Sequence, residues 1–325
     1  MKRRELIAFA GTGLLTWPLV ARAAADIARL GFLGLGNPAP VRGRVAALRA
    51  GLRDLGYVEG KNLVIEFRWS STVDQLYEAA AELARMKVDV IFASSSTEVE
   101  PARRATRTIP IVFAVHADPV GIGHVSSLAR PGGNITGLAV MQSDITAKRL
   151  EILKETVPQV SRVGVLWDRT APSYRPFLQA AEAAKGKLRV ELRPIEVSSV
   201  ADYEGAFTTM AHDRVGAVLI HASTQTGRDD PRLLAELALK HRLPTVFGNR
   251  DNVVAGGLMS YAPDMTDQWR RAAVYIDKIL KGAKPADLPV EQASRYQLVI
   301  NLRTAKALAL PIPPSVLARA DETLE

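Results

Sequence analysis

The sequence predicts an α/β fold of two lobes, each built on a parallel sheet that helices cover on both faces. After residue 26, short and nearly continuous apolar runs alternate with longer amphipathic runs, which is typical of such sheets. The alternation occurs twice, for about 110 residues each time, and a chain of this length suits two sheets better than one sheet of more than about ten strands.

The first series predicts a complete βα lobe. Its helix over residues 41–55 carries Val45, Leu48 and Leu52 on one stripe and ends at Gly56, a residue that favours helix termination. The strands are predicted over residues 30–35, 63–67, 88–92, 111–115 and 135–140, and the remaining helices over residues 73–86 and 97–106.

The second series repeats the pattern after a helix predicted over residues 145–157. Its strands are predicted over residues 163–167, 190–195, 217–220 and 245–247, and its helices over residues 172–185, 200–210 and 231–241. The C-terminal segment adds strands over 257–261 and 297–301, a helix over 264–280 and a short helix near 305–308. This segment is too short for a third domain, so we expect it to complete the two sheets.

The first 25 residues have the pattern of an export signal. A basic start precedes an apolar run over residues 6–20, and small residues follow at Ala23 and Ala25. The pattern predicts a periplasmic protein whose signal is cleaved near Ala23 or Ala25. The Arg3-Arg4 pair resembles a twin-arginine signal, so both export routes stay open. An uncleaved membrane anchor is the alternative, although the run is short and glycine-rich for a membrane span.

Composition excludes several classes of protein. The chain has no cysteine, which excludes disulfides, thiolate zinc sites, a cysteine nucleophile and a lipid anchor on cysteine. The formal charge of +8 falls to +5 without residues 1–25, which carry four basic residues and one acidic residue. This mild excess does not favour nucleic acid as a partner. The five histidines are scattered without an H-x-x-x-H pair, so we expect no metal and no cofactor.

Polar and aromatic residues follow the predicted strands in both series. Ligands of open α/β sheets lie beyond the carboxyl ends of the strands, so these residues are the candidates for ligand contact. The candidates are Asn37, Ser94, Ser95, Ser96, Thr97, His116, Asp118, Trp167, Asp168, Tyr174, His221, Ser223, Asn249 and Arg250.

The hydroxyl-rich stretch over residues 94–97 suggests an anion site. Ser95, Ser96 and Thr97 stand at the beginning of a predicted helix, where free N–H groups and the helix dipole favour a carboxylate. Simple N-capping by Ser96 or Thr97 explains the same residues and stays open. Asp118 suits a polar group of the ligand, such as an ammonium, or initiates a turn together with Pro119.

The second series supplies residues that could close over a ligand. Trp167 and Tyr174 could stack on an aromatic or apolar group, and packing within the lobe is the alternative for both. Arg250 could hold a carboxylate with two hydrogen bonds, or it could be a solvated surface arginine.

One motif favours an enzyme instead. Residues 34–39 form G-x-G-x-x-A after a strand, which leaves a dinucleotide-dependent oxidoreductase as the alternative function. However, Pro38 and Pro40 interrupt the helix start, and the next strand ends in Arg68-Trp69 rather than in an acidic residue. No nucleophile elbow or P-loop is present, so we expect no enzymatic activity. A sensory ectodomain is a third interpretation, but no second apolar span follows.

Four long stretches resemble one known family. Residues 118–138, 240–264, 275–292 and 298–322 look like exported ABC-transporter substrate-binding proteins with the type I periplasmic-binding fold. The resemblance implies two Rossmann-like lobes joined by three crossings, and one small ligand, amino-acid-like among relatives, bound between them. It also implies an inner-membrane permease and its ATPase as partners. Residues 94–101 and 221–231 depart from the turns that are common in relatives, so the ligand's identity does not transfer.

This architecture sets the expected boundaries. We expect lobe 1 over residues 26–141 and 262–285, and lobe 2 over residues 142–261 and 286–325, in a monomer. The crossings then fall near Val140, Tyr261 and Pro289.

Overall fold

The computed structural model describes residues 27–223 and 231–325, so the predicted export signal lies outside the described residues. Within these two ranges, no helix has both the length and the apolar character needed to cross a membrane.

The chain forms two sheets, mostly parallel, and this confirms the predicted fold class. The first sheet has six strands in the order β11-β5-β4-β3-β1-β2, and the second has seven in the order β13-β12-β10-β9-β8-β6-β7. The strands are β1 (Ala28–Leu35), β2 (Leu63–Ser70), β3 (Val90–Ser95), β4 (Ile111–His116), β5 (Ile135–Ala139), β6 (Arg162–Asp168), β7 (Glu191–Val197), β8 (Ala217–Ile220), β9 (Thr245–Phe247), β10 (Met259–Pro263), β11 (Glu291–Gln292), β12 (Tyr296–Asn301) and β13 (Glu322–Leu324).

Helices cover both faces of each sheet. The helices are α1 (Arg42–Asp54), α2 (Val73–Arg85), α3 (Ser96–Ala105), α4 (Gln142–Thr156), α5 (Tyr174–Leu188), α6 (Tyr203–His212), α7 (Pro231–Lys240), α8 (Arg250–Val254), α9 (Met265–Leu280), α10 (Leu302–Ala307) and α11 (Pro314–Leu317). We call each sheet with the helices packed on it the first lobe and the second lobe. Helix α9 belongs to the first lobe, since Trp269 and Ile276 join its core, while α4 joins the second through Leu150 and Leu153.

Each lobe has an apolar core on either face of its sheet. In the first lobe, α1 and α9 cover one face and α2 and α3 the other. The ring of Phe32 lies at the centre of an aromatic cluster, 5.3 Å from Phe92 and 5.8 Å from Trp269 between ring centroids. Burial of such rings is a large part of what holds a lobe together, since each removes well over about 100 Å² of apolar surface from water. The cluster fixes α9, and with it Trp269, against the carboxyl end of the first sheet.

Two elements differ from the sequence-based expectation in a way that matters for the site. Strand β3 was expected to end at Phe92, but it continues to Ser95, which pairs with Val115 of β4. The polar serines therefore lie inside the sheet edge, and α3 begins directly after them. The expected start of lobe 2 at residue 286 is too early, because Glu291 and Gln292 still pair with β5 of the first sheet and the chain crosses between Gln292 and Tyr296. Residues 286–292 therefore belong with the first sheet and not with lobe 2.

Candidate functional site

A cavity lies between the two lobes, at the carboxyl ends of strands from both sheets. It encloses about 710 Å³, its solvent-open mouth included. The sequence-predicted candidates on its wall are Ser94, Ser95, Ser96 and Thr97 from the first lobe, and Ser223 and Asn249 from the second. The topology explains this convergence, because strands that point in one direction end at one edge of each sheet.

Two predicted histidines lie behind the cavity wall. His116 and His221 are both fully buried, and neither contacts the cavity. Burial lowers the pKa of His221 to about 3, and it lowers the pKa of His116 well below its usual value. Both imidazoles are therefore neutral at physiological pH, and each contacts a serine that does line the cavity, Ser96 or Ser173.

The two predicted aspartates stabilise turns. The Asp118 carboxylate accepts the N–H of Gly121 at 2.8 Å, which is the turn role that the sequence had left open. Asp168 is buried, and its Oδ1 accepts both the N–H and the hydroxyl of Thr170. Its Oδ2 has no partner among the described residues. Neither carboxylate is on the cavity wall.

The remaining predicted residues lie off the cavity wall. The rings of Trp167 and Tyr174 stack on each other at 5.0 Å between centroids. Arg250 forms a two-bond ion pair with Glu322, at 2.6 and 2.7 Å, which occupies the guanidinium expected to hold a carboxylate. The side chain of Asn37 accepts the N–H of Ala39 in an exposed turn. None of these four lines the cavity.

The N-terminus of α3 already holds a carboxylate of the protein itself. Glu98 is fully buried, and its carboxylate accepts the hydroxyl of Ser94 at 2.8 Å and the N–H groups of Ser95 at 3.0 Å and Leu35 at 3.3 Å. It also accepts the hydroxyl of Ser95, whose oxygen in turn accepts the N–H of Thr97. This is a capping box, in which helix and side chain satisfy each other. These donors are therefore occupied, although the sequence suggested a ligand carboxylate here.

Arg149 of α4 is a buried cation on the opposite wall. The side chain is 1% exposed, and Nε donates to the carbonyl of Tyr261 at 2.7 Å. Nη2 lies 3.5 Å from the carbonyl of Gly248, and Nη1 has no partner among the described residues. Burial lowers the pKa of Arg149 to about 10, so it remains a cation at neutral pH. A buried cation without a carboxylate partner is costly unless an anion completes the site.

Sequence reasoning missed several residues of the wall. Arg44, Gln142, Arg149 and Trp269 all line the cavity. All four lie within or at the beginning of helices rather than directly after strands, so a search restricted to strand exits passes over them. Arg149 had one usable signal in the sequence, since it lies at helical spacing from the apolar residues Ile145 and Leu153, four positions before and after it.

Part of the first-lobe side of the cavity is apolar, beside the hydroxyl-rich stretch over residues 94–97. Trp269 is 2% exposed and borders the cavity together with Val115, Val140 and Met265. The indole is held in place by edge-on packing against Phe92 at 5.2 Å. The cavity thus combines an apolar wall with a few polar groups, which suits a small organic molecule with one apolar part.

The glycine motif at residues 34–39 has a packing explanation. A Cβ on Gly34 would lie 2.5 Å from the ring of Trp69, so the glycine makes room for an aromatic neighbour in the adjacent strand. A 3-10 turn over Ala39–Val41 then precedes α1. In the part of the chain that the structure describes, no cluster of His, Asp or Glu could hold a metal ion.

The fold and the cavity are those of two-lobed proteins that bind small solutes. The chain belongs to the ABC transporter substrate binding protein family, whose model matches residues 41–324. This family consists of substrate-binding proteins, which confirms the resemblance found in the sequence.

Relatives of known structure share the fold closely. A conserved domain protein from Vibrio cholerae superposes with a TM-score of 0.87 at 25% identity, covering 92% of this chain and all of the other. A domain from Streptococcus pneumoniae solved with L-Trp gives 0.86 at 24% identity and the same coverage. A tyrosine-binding protein from Clostridioides difficile is 24% identical over 258 residues, 79% of this chain and 74% of that protein.

Proposed function

We propose that this chain is the exported substrate-binding component of an ABC transporter and that it binds an amino acid in the cavity between its lobes. The observation that carries the proposal is Arg149, a buried guanidinium on the cavity wall whose Nη1 has no partner among the described residues. A ligand carboxylate would supply both the missing acceptor and the missing charge.

The alternatives for satisfying Arg149 are weak. Its two protein acceptors are backbone carbonyls, which are neutral, and the described side chains that raise its pKa are the phenols of Tyr296 and Tyr261, not carboxylates. Water could accept from Nη1, but a neutral molecule leaves the desolvated charge uncompensated. A carboxylate in a water-excluded site forms charge-assisted hydrogen bonds that are about twice as strong as neutral ones.

The apolar wall favours an amino acid with a large side chain. Trp269 offers a ring that an aromatic ligand could contact, and aromatic pairs gain about 0.5–1.5 kcal/mol beyond simple burial. The relatives named above include a tyrosine-binding protein and a domain solved with L-Trp, which supports the same class of ligand. We therefore place aromatic amino acids first among the candidates.

The proposed function also includes a partner and a location. The protein would be exported through its N-terminal segment, act in the periplasm as a monomer without enzymatic activity, and deliver its ligand to an inner-membrane permease and its ATPase. Family membership supports this role. The lobes would close on the ligand, and the permease would bind the closed conformation, as in other hinged binding proteins.

Calorimetry with an Arg149→Met variant tests the proposal. L-tryptophan, L-tyrosine and the other common amino acids are titrated into the wild type, into the variant, and into Arg295→Met as a control with an exposed arginine. We expect one or more amino acids to bind the wild type and the control, and Arg149→Met to bind them at least about a hundredfold more weakly. Absence of any amino acid binding to the wild type, or unchanged affinity in Arg149→Met, would contradict the proposal.

A further inference from the structure

Each lobe places a buried histidine directly behind a serine of the cavity wall. In the first lobe, His116 at the end of β4 lies behind Ser96, with Oγ and Nδ1 3.3 Å apart. In the second lobe, His221 follows β8 and lies behind Ser173, with Oγ and Nε2 3.0 Å apart. The two serines line the same cavity, and neither histidine does. The two pairs thus use opposite ring nitrogens.

In the first lobe, the contacts fix the direction of the hydrogen bond. The N–H of Asp118 donates to Nδ1 of His116 at 3.2 Å, so Nδ1 is an acceptor and the ring proton sits on Nε2. This proton is donated to Nδ1 of His124 at 2.7 Å, and Nε2 of His124 lies 3.2 Å from the Glu100 carboxylate. Each group in this series of hydrogen bonds donates to the next one, in the direction from the cavity towards Glu100.

Ser96 therefore faces the cavity as an acceptor. Its Oγ already accepts the N–H of Ala117 at 2.9 Å. If its hydroxyl proton pointed into the cavity, lone pairs on Oγ and on Nδ1 of His116 would face each other. The proton is instead shared with Nδ1, and the group that remains available to a ligand is a lone pair of Oγ.

In the second lobe, the direction of the serine–histidine hydrogen bond is the opposite. The N–H of Asp168 donates to Nδ1 of His221 at 3.3 Å, which again puts the ring proton on Nε2. Here Nε2 is the nitrogen that faces the serine, so the histidine donates to Oγ of Ser173. The hydroxyl proton of Ser173 is then free to be donated to a ligand in the cavity.

We infer that the two serine–histidine pairs set the orientation of the ligand, with Ser96 accepting from its cationic end and Ser173 donating to its anionic end. For the amino acid proposed above, on which this inference rests, the ammonium would face the first lobe and the carboxylate the second. Ser96 and Ser173 would thus determine specificity for a zwitterion over a simple carboxylic acid.

The buried charges of the two lobes agree with this orientation. The Glu98 carboxylate lies directly behind Ser94 and Ser95, so the first-lobe wall carries negative charge close to Ser96. Arg149 supplies positive charge on the second-lobe wall that also carries Ser173. Arg44 of the first lobe also lines the cavity, but its charge is paired with Asp251 of the second lobe. Glu98 and Arg149 are then charges of opposite sign on facing walls, and they favour a ligand whose own charges are separated in the matching sense.

The experiment compares L-tryptophan with indole-3-propionate, which lacks only the amino group. Dissociation constants are measured by calorimetry for the wild type, Ser96→Ala and Ser173→Ala, with the exposed Ser161→Ala as a control. We expect the wild type to prefer L-tryptophan by about ten- to a hundredfold. Ser96→Ala should remove about tenfold of that preference without changing the affinity for indole-3-propionate, whereas Ser173→Ala should weaken both ligands by a similar factor.

Two results would overturn the inference while leaving amino acid binding intact. One is equal weakening of both ligands by Ser96→Ala. The other is selective loss of L-tryptophan in Ser173→Ala, which would reverse the orientation. If the wild type binds none of the amino acids titrated above, the proposed function itself is refuted; if it binds another amino acid in place of L-tryptophan, that amino acid and its analogue without the amino group are compared in the same variants. Nitrogen-15 shifts of the imidazoles then decide the polarity separately, because a proton on Nδ1 of His116 or His221 contradicts the assigned directions.

Discussion

Glu98 and Arg149 are both buried charged side chains beside one cavity, but the protein satisfies only the first of them. The Glu98 carboxylate accepts hydrogen bonds from two hydroxyls and two backbone N–H groups of its own lobe. Arg149 has two neutral carbonyl acceptors and one Nη1 that lacks a partner among the described residues. A buried charged group whose hydrogen bonds are all made within the protein stabilises the fold. A buried charged group with an unsatisfied hydrogen-bond donor is available to a ligand.

The comparison also explains why serine-rich helix starts are ambiguous in a sequence. The donors at residues 94–97 suggested an anion site. An anion is indeed there, but it is the carboxylate of Glu98, the third residue of helix α3. The pattern S-x-x-E was visible in the sequence as Ser95 and Glu98. It is the usual signature of a capping box, and it predicts that the helix N-terminus needs no external anion.

The largest expected effect concerns the folding role of Glu98. Glu98→Gln replaces one acceptor oxygen by an amide that faces hydrogen-bond donors, so about two of the four donors would lose their partner. We expect the free energy of unfolding in urea to fall by about 3 kcal/mol, since each unsatisfied buried donor costs about 1–3 kcal/mol. Glu78→Gln on the exposed face of α2 is the matched control and should change stability by less than about 0.5 kcal/mol.

Arg149 provides the other half of this test. Removing an incompletely paired buried cation relieves its desolvation, so Arg149→Met should cost much less stability than Glu98→Gln, about 1 kcal/mol or less. Equal decreases in the free energy of unfolding of the two variants would show that Glu98 and Arg149 both stabilise the fold.

Much of the fold could be predicted from the sequence, because alternating apolar strands and amphipathic helices carry the signal over many residues. Strands at residues 217–220 and 245–247 were predicted at their observed bounds. The two-residue strand β11 could not be predicted, because it is defined by pairing with β5 and not by its own apolar pattern. Helix α8 and strand β13 are too short to show a hydrophobic period.

The site was less predictable, because it depends on which side chains already have partners. Strand-exit position placed Ser96, Ser223 and Asn249 on the cavity wall. It also selected Arg250, whose guanidinium is paired with Glu322, a residue 72 positions away in the chain. No local pattern reveals such a partner. Arg149 was missed for the related reason that a charged residue within a helix is usually solvated.

The second expected effect is a loss of stability in mild acid. Burial lowers the pKa of His221 to about 3, and the neighbouring Arg149 charge adds to this. The unfolded chain takes up a proton at this residue below its usual pKa of about 6.5, and the folded chain does not, so stability falls as the pH decreases below that value. At pH 5.5 this one residue should cost about 1.4 kcal/mol.

Urea unfolding of wild type, His221→Gln and His124→Gln at pH 7.0 and 5.5 measures this difference. Between pH 7.0 and pH 5.5, the free energy of unfolding of His221→Gln should fall by about 1 kcal/mol less than that of the wild type, whatever the stability of the variant at pH 7.0. His124 should matter less, because the Glu100 carboxylate beside it opposes the effect of burial on its pKa. If His124→Gln reduced the acid-induced loss of stability more than His221→Gln did, His221 would not be the main source of that loss.

The smallest expected effect concerns the contact that joins the lobes. Arg44 of α1 and Asp251 of α8 form an ion pair between the two lobes, and Arg44 also lines the cavity. Separation of the lobes would break this pair, so it favours the closed arrangement. Because Asp251 is 40% exposed, solvent screens the pair, and its contribution is at most about 1 kcal/mol.

Asp251→Asn should therefore weaken L-tryptophan binding by about two- to fivefold, and the difference from wild type should shrink at about 0.5 M salt, where exposed charges are screened. Glu322→Gln is the matched control, because it breaks the ion pair with Arg250 inside the second lobe, which closure leaves intact. Calorimetry at two salt concentrations measures both variants. Equal weakening by Asp251→Asn and Glu322→Gln would show that general surface charge, and not the contact between the lobes, sets the affinity, since the Arg44–Asp251 pair joins the two lobes and the Arg250–Glu322 pair does not.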